Sequence, residues 1–381
     1  MKIIHCCLSN FFIDGYSYQE NMLVKKHVEL NHDVLVLAST ETYGVDKCLT
    51  YVKPSEYLGV EGARVVRLPY SRMLPLFIMK KLRIHSKVYK LLENFKPDVI
   101  VFHGMCGWEL VTVAKYVKHN PGVKLYADSH EDLNNSARTF LARNTLYRFF
   151  YVPLIFLTLR YINRVFYITY ETRQFCKKIY GISDKKLEYF PLGGVVLDDE
   201  SYRAVRSDMR AKHLVSENDV VFFQSGKFDV KKKLIQSLEA FKCVKCSNFK
   251  YFIAGSIPTE LKLEFDDILK SDIRIVFLDW VDSDELLNLL CMADVYVQPG
   301  SQSATMQMSL AARCSVILDD VPSHRHIFCE NGFLVKNQED LVSSFAHIEN
   351  SPSMLASMSE NSFNFAKKYL DYDVLAKRLL K

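Results

Sequence analysis

The chain has 381 residues, more than one ordinary domain of about 100–200 residues holds and enough for two domains with their own cores. Hydrophobic residues make up 49% of the chain and charged residues 24%, with only 14 glycines and 11 prolines. This composition excludes disordered, collagen-like and low-complexity proteins. Lys and Arg number 49 against 44 Asp and Glu, a net charge of +5. So small an excess does not predict nucleic-acid binding, and any function must depend on where the charges lie.

The first half alternates short β-branched runs with longer helical patterns, which predicts a parallel sheet covered by helices on both faces. Strands are predicted at residues 2–8, 33–38, 64–68, 98–102, 123–127 and 164–169. The spacing of apolar residues predicts helices at 18–30, 75–95 and 108–119. The opening residues, MKIIHCCL, carry one lysine and a short apolar run, which predicts a buried strand rather than a signal peptide.

A second alternation of strands and helices occupies the C-terminal half. Its strands are predicted at residues 220–225, 251–256, 273–278, 294–299 and 315–320. The polar stretch 198–218, just after the turn PLGG at 191–194, is the best candidate for a boundary. We therefore expect domains at 1–197 and 198–365, followed by a C-terminal segment at 366–381. Open α/β sheets bind ligands beyond the carboxyl ends of their strands, so functional residues are sought there.

Ten cysteines lie mostly in apolar runs, which favours reduced, packed side chains in a cytosolic protein over a disulfide framework. Cys243 and Cys246 form one CxxC pair, which elsewhere is half of a zinc site or a redox pair. No second pair follows at metal spacing, so an ordinary helix surface is favoured and no metal site is expected. The longest apolar stretch, 149–159, is too short to span a bilayer, which requires about 20 residues.

The loop after the first strand contains Gly15, but neither a dinucleotide-binding glycine motif nor a phosphate-loop motif occurs in the chain. A glycine at this position permits a close approach of the backbone, and the amides at the following helix start can bind an anion. A tight turn without a ligand is an equal alternative.

Lysines cluster after the strand at 220–225, in the segment GKFDVKKK that begins with Gly226. At a strand end two ammonium groups can neutralise a diphosphate. Lys231 is interpreted as a solvated charge. Phosphate binding is favoured for Lys227 and for one of Lys232 or Lys233.

The strand at 294–299 leads into a helix whose start is rich in small and hydroxyl residues. These are Gly300, Ser301, Gln302, Ser303 and Thr305. Free amides and hydroxyls at a helix start suit a phosphate or a ribose, although a capped helix without a ligand is the alternative.

Two strand ends of the first domain carry titratable residues. His103 ends one strand, and Asp128, His130 and Glu131 lie at the end of the next. Two histidines at two strand ends of one sheet, one of them flanked by acids, favour a functional site over isolated structural histidines.

Taken in order, these motifs resemble those of retaining glycosyltransferases with the GT-B fold, in particular glycosyltransferase family four, over essentially the whole chain. The matching segments are Gly15, FHG at 102–104, DSHED at 128–132, PLGG at 191–194, GKFDVKKK at 226–233, IAGS at 253–256, FLDWV at 277–281, ADVYVQP at 293–299 and NGFLV at 331–335. The resemblance implies two Rossmann-like, doubly wound α/β domains facing a cleft, with the last helix crossing back to the first domain.

The resemblance implies that the second domain binds a nucleotide-sugar donor and that the first binds an acceptor. It assigns Lys227 with Lys232, or with Lys233, to the donor diphosphate, and His130 to the donor sugar. Trp280 and Val281 fall where the family holds the base. His103, Asp128 and Glu131 are the acceptor-side candidates. No metal or other cofactor is implied, and a UDP- or GDP-linked donor is favoured over a CMP-linked one.

The chain departs from the family pattern between Asp294 and Asp319, where the family typically carries two glutamates and this sequence has no acid. Gln307 remains for a ribose, and Ser303 or Thr305 for a hydroxyl or phosphate. Retention is favoured by analogy. An inverting reaction would require a base, for which the candidates are Asp14, Glu20, His130 and Glu131.

Residues 72–96 mix apolar side chains with lysine and arginine, which predicts either docking on an anionic membrane surface or a helix packed on the sheet. We expect a cytoplasmic enzyme, peripheral to the inner membrane, that acts on a glycan or lipid-linked acceptor of a bacterial capsule, lipopolysaccharide or similar polysaccharide. A catalytically silent GT-B binding protein and a nucleotide-sugar epimerase are the alternatives. The sugar, the linkage and the oligomeric state are left open.

Overall fold

A computed structural model describes residues 1–44, 48–132, 136, 143–300 and 303–380. The chain forms two compact units: unit 1 is Met1–Pro191 with Leu375–Lys381, and unit 2 is Leu192–Val374. The first junction lies within the PLGG turn rather than after it at 197. The chain returns to unit 1 at Leu375, later than the predicted start of the C-terminal segment at 366.

Unit 1 is built on an eight-stranded sheet in the order β10-β9-β8-β7-β1-β2-β6-β5, parallel except for the pair β5 and β6. The strands of this unit are β1 (Lys2–Cys7), β2 (Asp33–Ser39), β3 (Glu41–Tyr43), β4 (Leu49–Tyr51), β5 (Ser55–Leu58), β6 (Arg64–Leu68), β7 (Val99–His103), β8 (Lys124–Ser129), β9 (Arg164–Tyr167) and β10 (Leu187–Tyr189). The central strand β1 is buried from its second residue onward, as expected for a strand with neighbours on both sides and helices on both faces.

The helices of unit 1 connect these strands in the alternation that the sequence predicts. They are α1 (Gln19–Glu29), α2 (Leu76–Leu82), α3 (Val88–Phe95), α4 (Glu109–His119), α5 (Val152–Thr158) and α6 (Tyr170–Lys178), with a π-helical stretch at Arg143–Tyr151. The single helix predicted at 75–95 is wrong, because the backbone turns left-handed at Arg83 and Lys87 and separates α2 from α3. The Arg83 guanidinium is held by the Glu41 carboxylate at 2.5 Å, a long-range contact that apolar spacing does not encode.

Unit 2 is built on a six-stranded parallel sheet in the order β13-β12-β11-β14-β15-β16. Its strands are β11 (Val220–Lys227), β12 (Phe249–Ser256), β13 (Ile275–Phe277), β14 (Val295–Gln298), β15 (Ser315–Asp319) and β16 (Gly332–Val335). Its helices are α7 (Asp199–Lys212), α8 (Leu234–Lys242), α9 (Thr259–Ser271), α10 (Ser283–Met292), α11 (Thr305–Ala311), α12 (Pro322–Arg325), α13 (Gln338–Asn350) and α14 (Met354–Tyr369). Both units thus have the predicted doubly wound α/β architecture.

The polar stretch predicted as a boundary at 198–218 forms most of helix α7. Asp198 caps this helix by accepting a hydrogen bond from the Ser201 amide at 2.8 Å. Arg206 and Arg210 reach the Asp294 carboxylate at 2.5 and 3.5 Å, at the start of β14. The charges of this stretch therefore fasten a helix to the sheet.

The last helix, α15 (Tyr372–Arg378), carries the chain back into unit 1. Leu375, Ala376 and Leu379 are fully or almost fully buried. The Arg378 guanidinium donates to the Glu188 carboxylate of β10 at 2.6 Å. The predicted return of the C-terminal helix to the first domain is confirmed.

None of the ten cysteines forms a disulfide bond. Cys243 lies in a turn after α8 rather than on the predicted helix surface, because α8 ends at Lys242. Among the described residues no group of three or more His, Cys, Asp or Glu side chains is arranged to hold a metal ion. No helix in the described part of the chain is both long and apolar enough to cross a membrane.

Candidate active site

His103 and Asp128 face each other at the ends of adjacent strands in unit 1. They are register partners in β7 and β8, which places the His103 Nδ1 atom 2.5 Å from Asp128 Oδ2. The amide of Gly104 donates to the other oxygen, Oδ1, at 2.8 Å. Gly104 adopts a φ of 79°, a conformation that a residue with a Cβ rarely takes. The Asp128 carboxylate is therefore fixed by both oxygens in a buried site.

His130 lies beside this carboxylate, with its Nε2 atom 3.5 Å from Asp128 Oδ1 and its side chain 28% exposed. Burial opposes the charged form of Asp128, but the charges and hydrogen bonds of His103 and His130 outweigh it and hold the pKa of Asp128 well below its usual range. Burial likewise opposes the charged form of His130, but the Asp128 charge raises the pKa of His130 to about 9. At neutral pH His130 is therefore an imidazolium, able to donate to a sugar hydroxyl or offset a negative oxygen.

Two further histidines, which the sequence analysis did not single out, extend this cluster through the core. His5 of β1 lies between His103 and His27 of α1, with ring nitrogens 2.9 Å apart at each contact. The His27 Nε2 atom donates to the main-chain oxygen of Ala376 at 3.0 Å. An imidazole inside the apolar run IIHCC was a signal for such a network, because a buried polar group requires partners.

The remaining candidates of unit 1 are held by other protein groups. Glu131 accepts a hydrogen bond from the Ser129 hydroxyl at 2.5 Å. Asp14 accepts from the Tyr57 hydroxyl at 2.6 Å and from Arg67 at 2.8 Å. Glu20 accepts from the Asn10 amide at 2.5 Å.

Gly15 adopts a φ of 75° between these groups, and its amide donates to the Glu61 carboxylate at 3.1 Å. Because this amide already has an anionic partner within the protein, the geometry at Gly15 favours the tight turn.

In unit 2, glycines allow the ends of two strands to approach the turn that carries the lysines. A Cβ on Gly300, just past β14, would lie 2.1 Å from the main-chain oxygen of Lys231. A Cβ on Gly226, at the end of β11, would lie 3.2 Å from the Lys232 Nζ atom. The Gln224 amide donates to the main-chain oxygen of Lys232 at 3.2 Å. Lys232 therefore packs against the main chain of Gly226 and Gly300, which have no side chains, at the carboxyl edge of the sheet.

The four lysines of this segment have different environments. Lys227 and Lys231 are exposed, whereas Lys232 and Lys233 are half-buried. The Lys233 ammonium lies 3.4 Å from the Asp319 carboxylate, while Lys232 has no salt bridge within the described residues. Burial lowers the pKa of Lys232, with the nearby Asp229 charge acting in the opposite direction.

The segment after β14 is tied together by hydroxyl and amide groups. The Tyr296 and Ser303 hydroxyls both donate to Gln298 Oε1, at 2.7 and 2.9 Å. Thr305 begins α11 and is half-buried, and Gln307 is 3% exposed. The Gln307 side-chain amide donates to the main-chain oxygens of Ser303 and Ala304, just before α11, at 3.2 Å each. Ser301 and Gln302 lie outside the described residues.

Trp280 and Val281 follow β13 at the same edge of the sheet of unit 2. The preceding residue, Asp279, has a φ of 55° and its main-chain oxygen accepts from the Gly255 amide at 2.7 Å. Trp280 is 54% exposed, and Val281 packs against the core. The indole thus presents a large surface at the end of the strand.

The chain was compared with protein families, with curated sequences and with solved structures. Residues 205–365, all within unit 2, match the family model described as Glycosyl transferases group 1. No curated protein sequence matches the chain. Among solved structures, the chain is similar to Anabaena Alr3699/HepE in complex with UDP, with 13% identity, a TM-score of 0.68 and coverage of 100% of this chain and 98% of that one.

Two glycosyltransferases of known structure also have a similar fold. One is from Rickettsia africae, with 12% identity, a TM-score of 0.68 and coverage of 100% and 96% of the two chains. The other is WaaG, a glycosyltransferase involved in lipopolysaccharide biosynthesis, with 15% identity, a TM-score of 0.62 and coverage of 99% and 98%. These likenesses establish the GT-B fold. With the group 1 match in unit 2, the chain is a glycosyltransferase with the GT-B fold; its assignment to family four stays a prediction.

Proposed function

We propose that this enzyme transfers a sugar, with retention, from a UDP- or GDP-linked donor to a glycan or lipid-linked acceptor in cell-surface polysaccharide biosynthesis. The observation that carries the proposal is Lys232, a half-buried cation without a salt bridge in the described residues, held over glycine backbone at the strand ends of the unit that matches glycosyl transferases. A fixed ammonium at this edge suits a diphosphate, whose charge grows as the sugar leaves.

In the proposed donor site, Lys232 and the exposed Lys227 offset the diphosphate in place of a metal ion. Lys233 is the weaker candidate for the second cation, since Asp319 already occupies its ammonium. Trp280 offers a flat, exposed surface for a base. A UDP donor is supported by the similar fold of HepE, whose structure contains UDP.

The proposal of retention is supported by the state of the four candidate bases. Asp14, Glu20 and Glu131 each accept hydrogen bonds from neighbouring side chains. His130 is protonated at neutral pH, because Asp128 raises its pKa to about 9. An inverting reaction requires a base that takes the acceptor proton, whereas retention requires none, so the hydrogen bonds to these carboxylates and the protonation of His130 favour retention.

We also propose that unit 1 docks on an anionic membrane through residues 73–81, a projection that combines exposed apolar side chains with the lysines of α2. Met73 and Phe77 are 84% and 65% exposed, and Leu74 and Leu76 are also exposed. Lysines follow within the same helix, and the Lys80 ammonium lies 3.6 Å from the centre of the Tyr51 ring. Exposed apolar side chains beside lysines are typical of a surface that inserts among acidic headgroups.

A second exposed apolar group borders this projection. Phe149 and Phe156 are 74% and 76% exposed, on the π-helical stretch and on α5. The Tyr151 hydroxyl donates to the main-chain oxygen of Lys81 at 2.6 Å and so joins the two segments. We include the exposed side chains of both segments in the proposed docking surface.

The donor proposal is tested by thermal shift with UDP, GDP, CMP and their sugars. A ligand at one hundred times its Kd stabilises the folded state by about 2.7 kcal/mol, so a specific nucleotide stands out clearly. We expect UDP or GDP to raise the Tm and Lys227→Ala to reduce the rise, with Lys231→Ala as the control. No shift with any nucleotide would favour a silent binding protein, and conversion of the donor without an acceptor would indicate an epimerase.

Membrane docking is tested by sedimentation with vesicles of phosphatidylcholine alone or mixed with phosphatidylglycerol. We expect recovery with the anionic vesicles only, and its loss in Phe77→Ser. Leu263→Ser, which removes an exposed apolar side chain from unit 2, is the matched control. Equal recovery with both kinds of vesicle would contradict electrostatic docking.

A further inference from the structure

Three buried histidines of unit 1, His5, His27 and His103, form one unbroken chain of hydrogen bonds from helix α15 to the candidate active site. The links are His27 to the Ala376 carbonyl at 3.0 Å, His5 to His27 at 2.9 Å, His5 to His103 at 2.9 Å, and His103 to Asp128 at 2.5 Å. The three histidines and the aspartate are all buried. No water has to be invoked to connect them.

The number of protons in this chain follows from its geometry. Each of the four hydrogen bonds requires one proton between its two heavy atoms. A neutral imidazole carries one N–H, so three neutral histidines supply only three protons. A carbonyl oxygen and a carboxylate accept and supply none. The chain therefore holds one proton more than three neutral imidazoles provide.

The direction of the chain is fixed at the carbonyl end. Because the Ala376 oxygen only accepts, His27 must donate to it from Nε2, and its Nδ1 must accept from His5. By the same rule His5 accepts on Nδ1 from His103 Nε2. His103 then needs a second proton, on Nδ1, to meet the Asp128 carboxylate.

The electrostatics agree with this location of the extra proton. Burial, together with the neighbouring histidines, lowers the pKa of His5 well below its usual value. Burial also lowers the pKa of His27, to about 4. Of the three rings, only His103 touches a carboxylate, which is the group that stabilises an imidazolium in a buried site.

We propose that His103 is a positioning residue that carries this extra proton and thereby holds the Asp128 carboxylate in place against His130. The His103 imidazolium also offsets part of the Asp128 charge that His130 experiences. The other acids whose fields reach His130 are Glu20 and Glu131. The docking of the C-terminal helix in unit 1, through one main-chain oxygen, thus sets the charge at the candidate active site. The proposal rests on the proposed function only in that His130 is the residue served.

The test is to observe the ring nitrogens directly, by long-range ¹H–¹⁵N correlation NMR on the full-length protein labelled with ¹⁵N-histidine and assigned with single-histidine variants. At pH 7.5 we expect His103 to have the nitrogen shifts of an imidazolium, and His5 and His27 those of neutral rings protonated on Nε2. A neutral His103 in the wild-type protein would overturn the proposal.

Two substitutions at the far end of the chain separate this role from simple packing. His27→Phe removes both hydrogen-bonding groups, so His5 can donate to His103 and the extra proton is no longer required. We expect His103 to become neutral and His130 to titrate at higher pH, because the Asp128 charge is then uncompensated. His27→Gln keeps one donor for Ala376 and one acceptor for His5, and should restore the wild-type spectrum.

His85→Phe is the control, since His85 is a buried histidine of the same unit that lies outside the chain. An imidazolium at His103 that persists in His27→Phe, or that disappears equally in His27→Gln, would refute the mechanism. If His27→Phe does not fold, the wild-type and His27→Gln spectra still decide. The experiment uses no nucleotide, so failure of the proposed donor chemistry leaves it unaffected.

Discussion

Lys232→Met keeps most of the length of the side chain and removes its charge, and we expect it to weaken binding of UDP or GDP. The ammonium is half-buried beside Gly226 and has no salt bridge within the described residues, so an entering diphosphate would be its partner. A hydrogen bond to a charged group contributes about 1.5–3 kcal/mol. At about 1.4 kcal/mol for each factor of ten, the Kd should rise by about 10- to 150-fold.

The control is Lys231→Met in the same turn, which removes an exposed lysine and should change the Kd by less than about twofold. Isothermal titration calorimetry with the nucleoside diphosphate measures both variants. The same measurement at high salt should narrow the difference between wild type and Lys232→Met, because salt screens the ammonium's attraction to phosphate. Equal weakening in the two variants, or a change below threefold in Lys232→Met, would refute the assignment of Lys232.

Three further predictions concern stability. Gly255→Ala places a Cβ 1.9 Å from the Gly226 oxygen, at a backbone φ of 146°. In urea titration it should lower the free energy of unfolding by about 1–3 kcal/mol. Gly122→Ala, which has open space around it, should leave the free energy of unfolding unchanged. Asp294→Ala leaves Arg206 and Arg210 without their carboxylate and should cost about 1–3 kcal/mol, so an unchanged urea midpoint would contradict this network. The pKa of His130 in the folded protein is raised to about 9, so His130 contributes stability that is fully present below about pH 6.5 and is lost as the pH rises to about 9. The Tm of the wild-type protein should therefore fall over this pH range, and the Tm of His130→Asn should not show this fall.

Much of the fold could be predicted because strand and helix periodicity is local. The strand predicted at 64–68 has the bounds of β6, and the core of β11 lies where the apolar run VVFFQS predicts it. The short strands β3, β4, β5, β10 and β16 were missed, since they have three or four residues and mostly lack buried positions. The stretch predicted as a boundary forms helix α7, which composition alone did not reveal because its arginines pair with Asp294, a carboxylate distant in sequence.

The candidate site was predictable only as a set of strand ends. Parallel strands bring His103 and Asp128 together, and this follows from their positions at the ends of β7 and β8. The contribution of His5 depends on the strand order β7-β1-β2, which no local pattern contains. The environments of Lys232 and Lys233 differ because the backbone turns left-handed at Lys233, with a φ of 53° between the 3-10 turn and α8. Such a reversal is not encoded in three consecutive lysines.

The return of residues 375–381 to unit 1 has a consequence for the order in which the protein can be completed during synthesis. Most of unit 1 is translated first, but the oxygen that His27 requires belongs to Ala376, which follows unit 2 in the chain. Between Leu192 and Val374 the ribosome adds the whole of unit 2, which takes about 10–40 s at 5–20 residues per second. During that time unit 1 lacks one of its buried pieces. The nascent protein therefore has to keep an unfinished first unit from aggregating until residues 375–381 have been made and can pack against it.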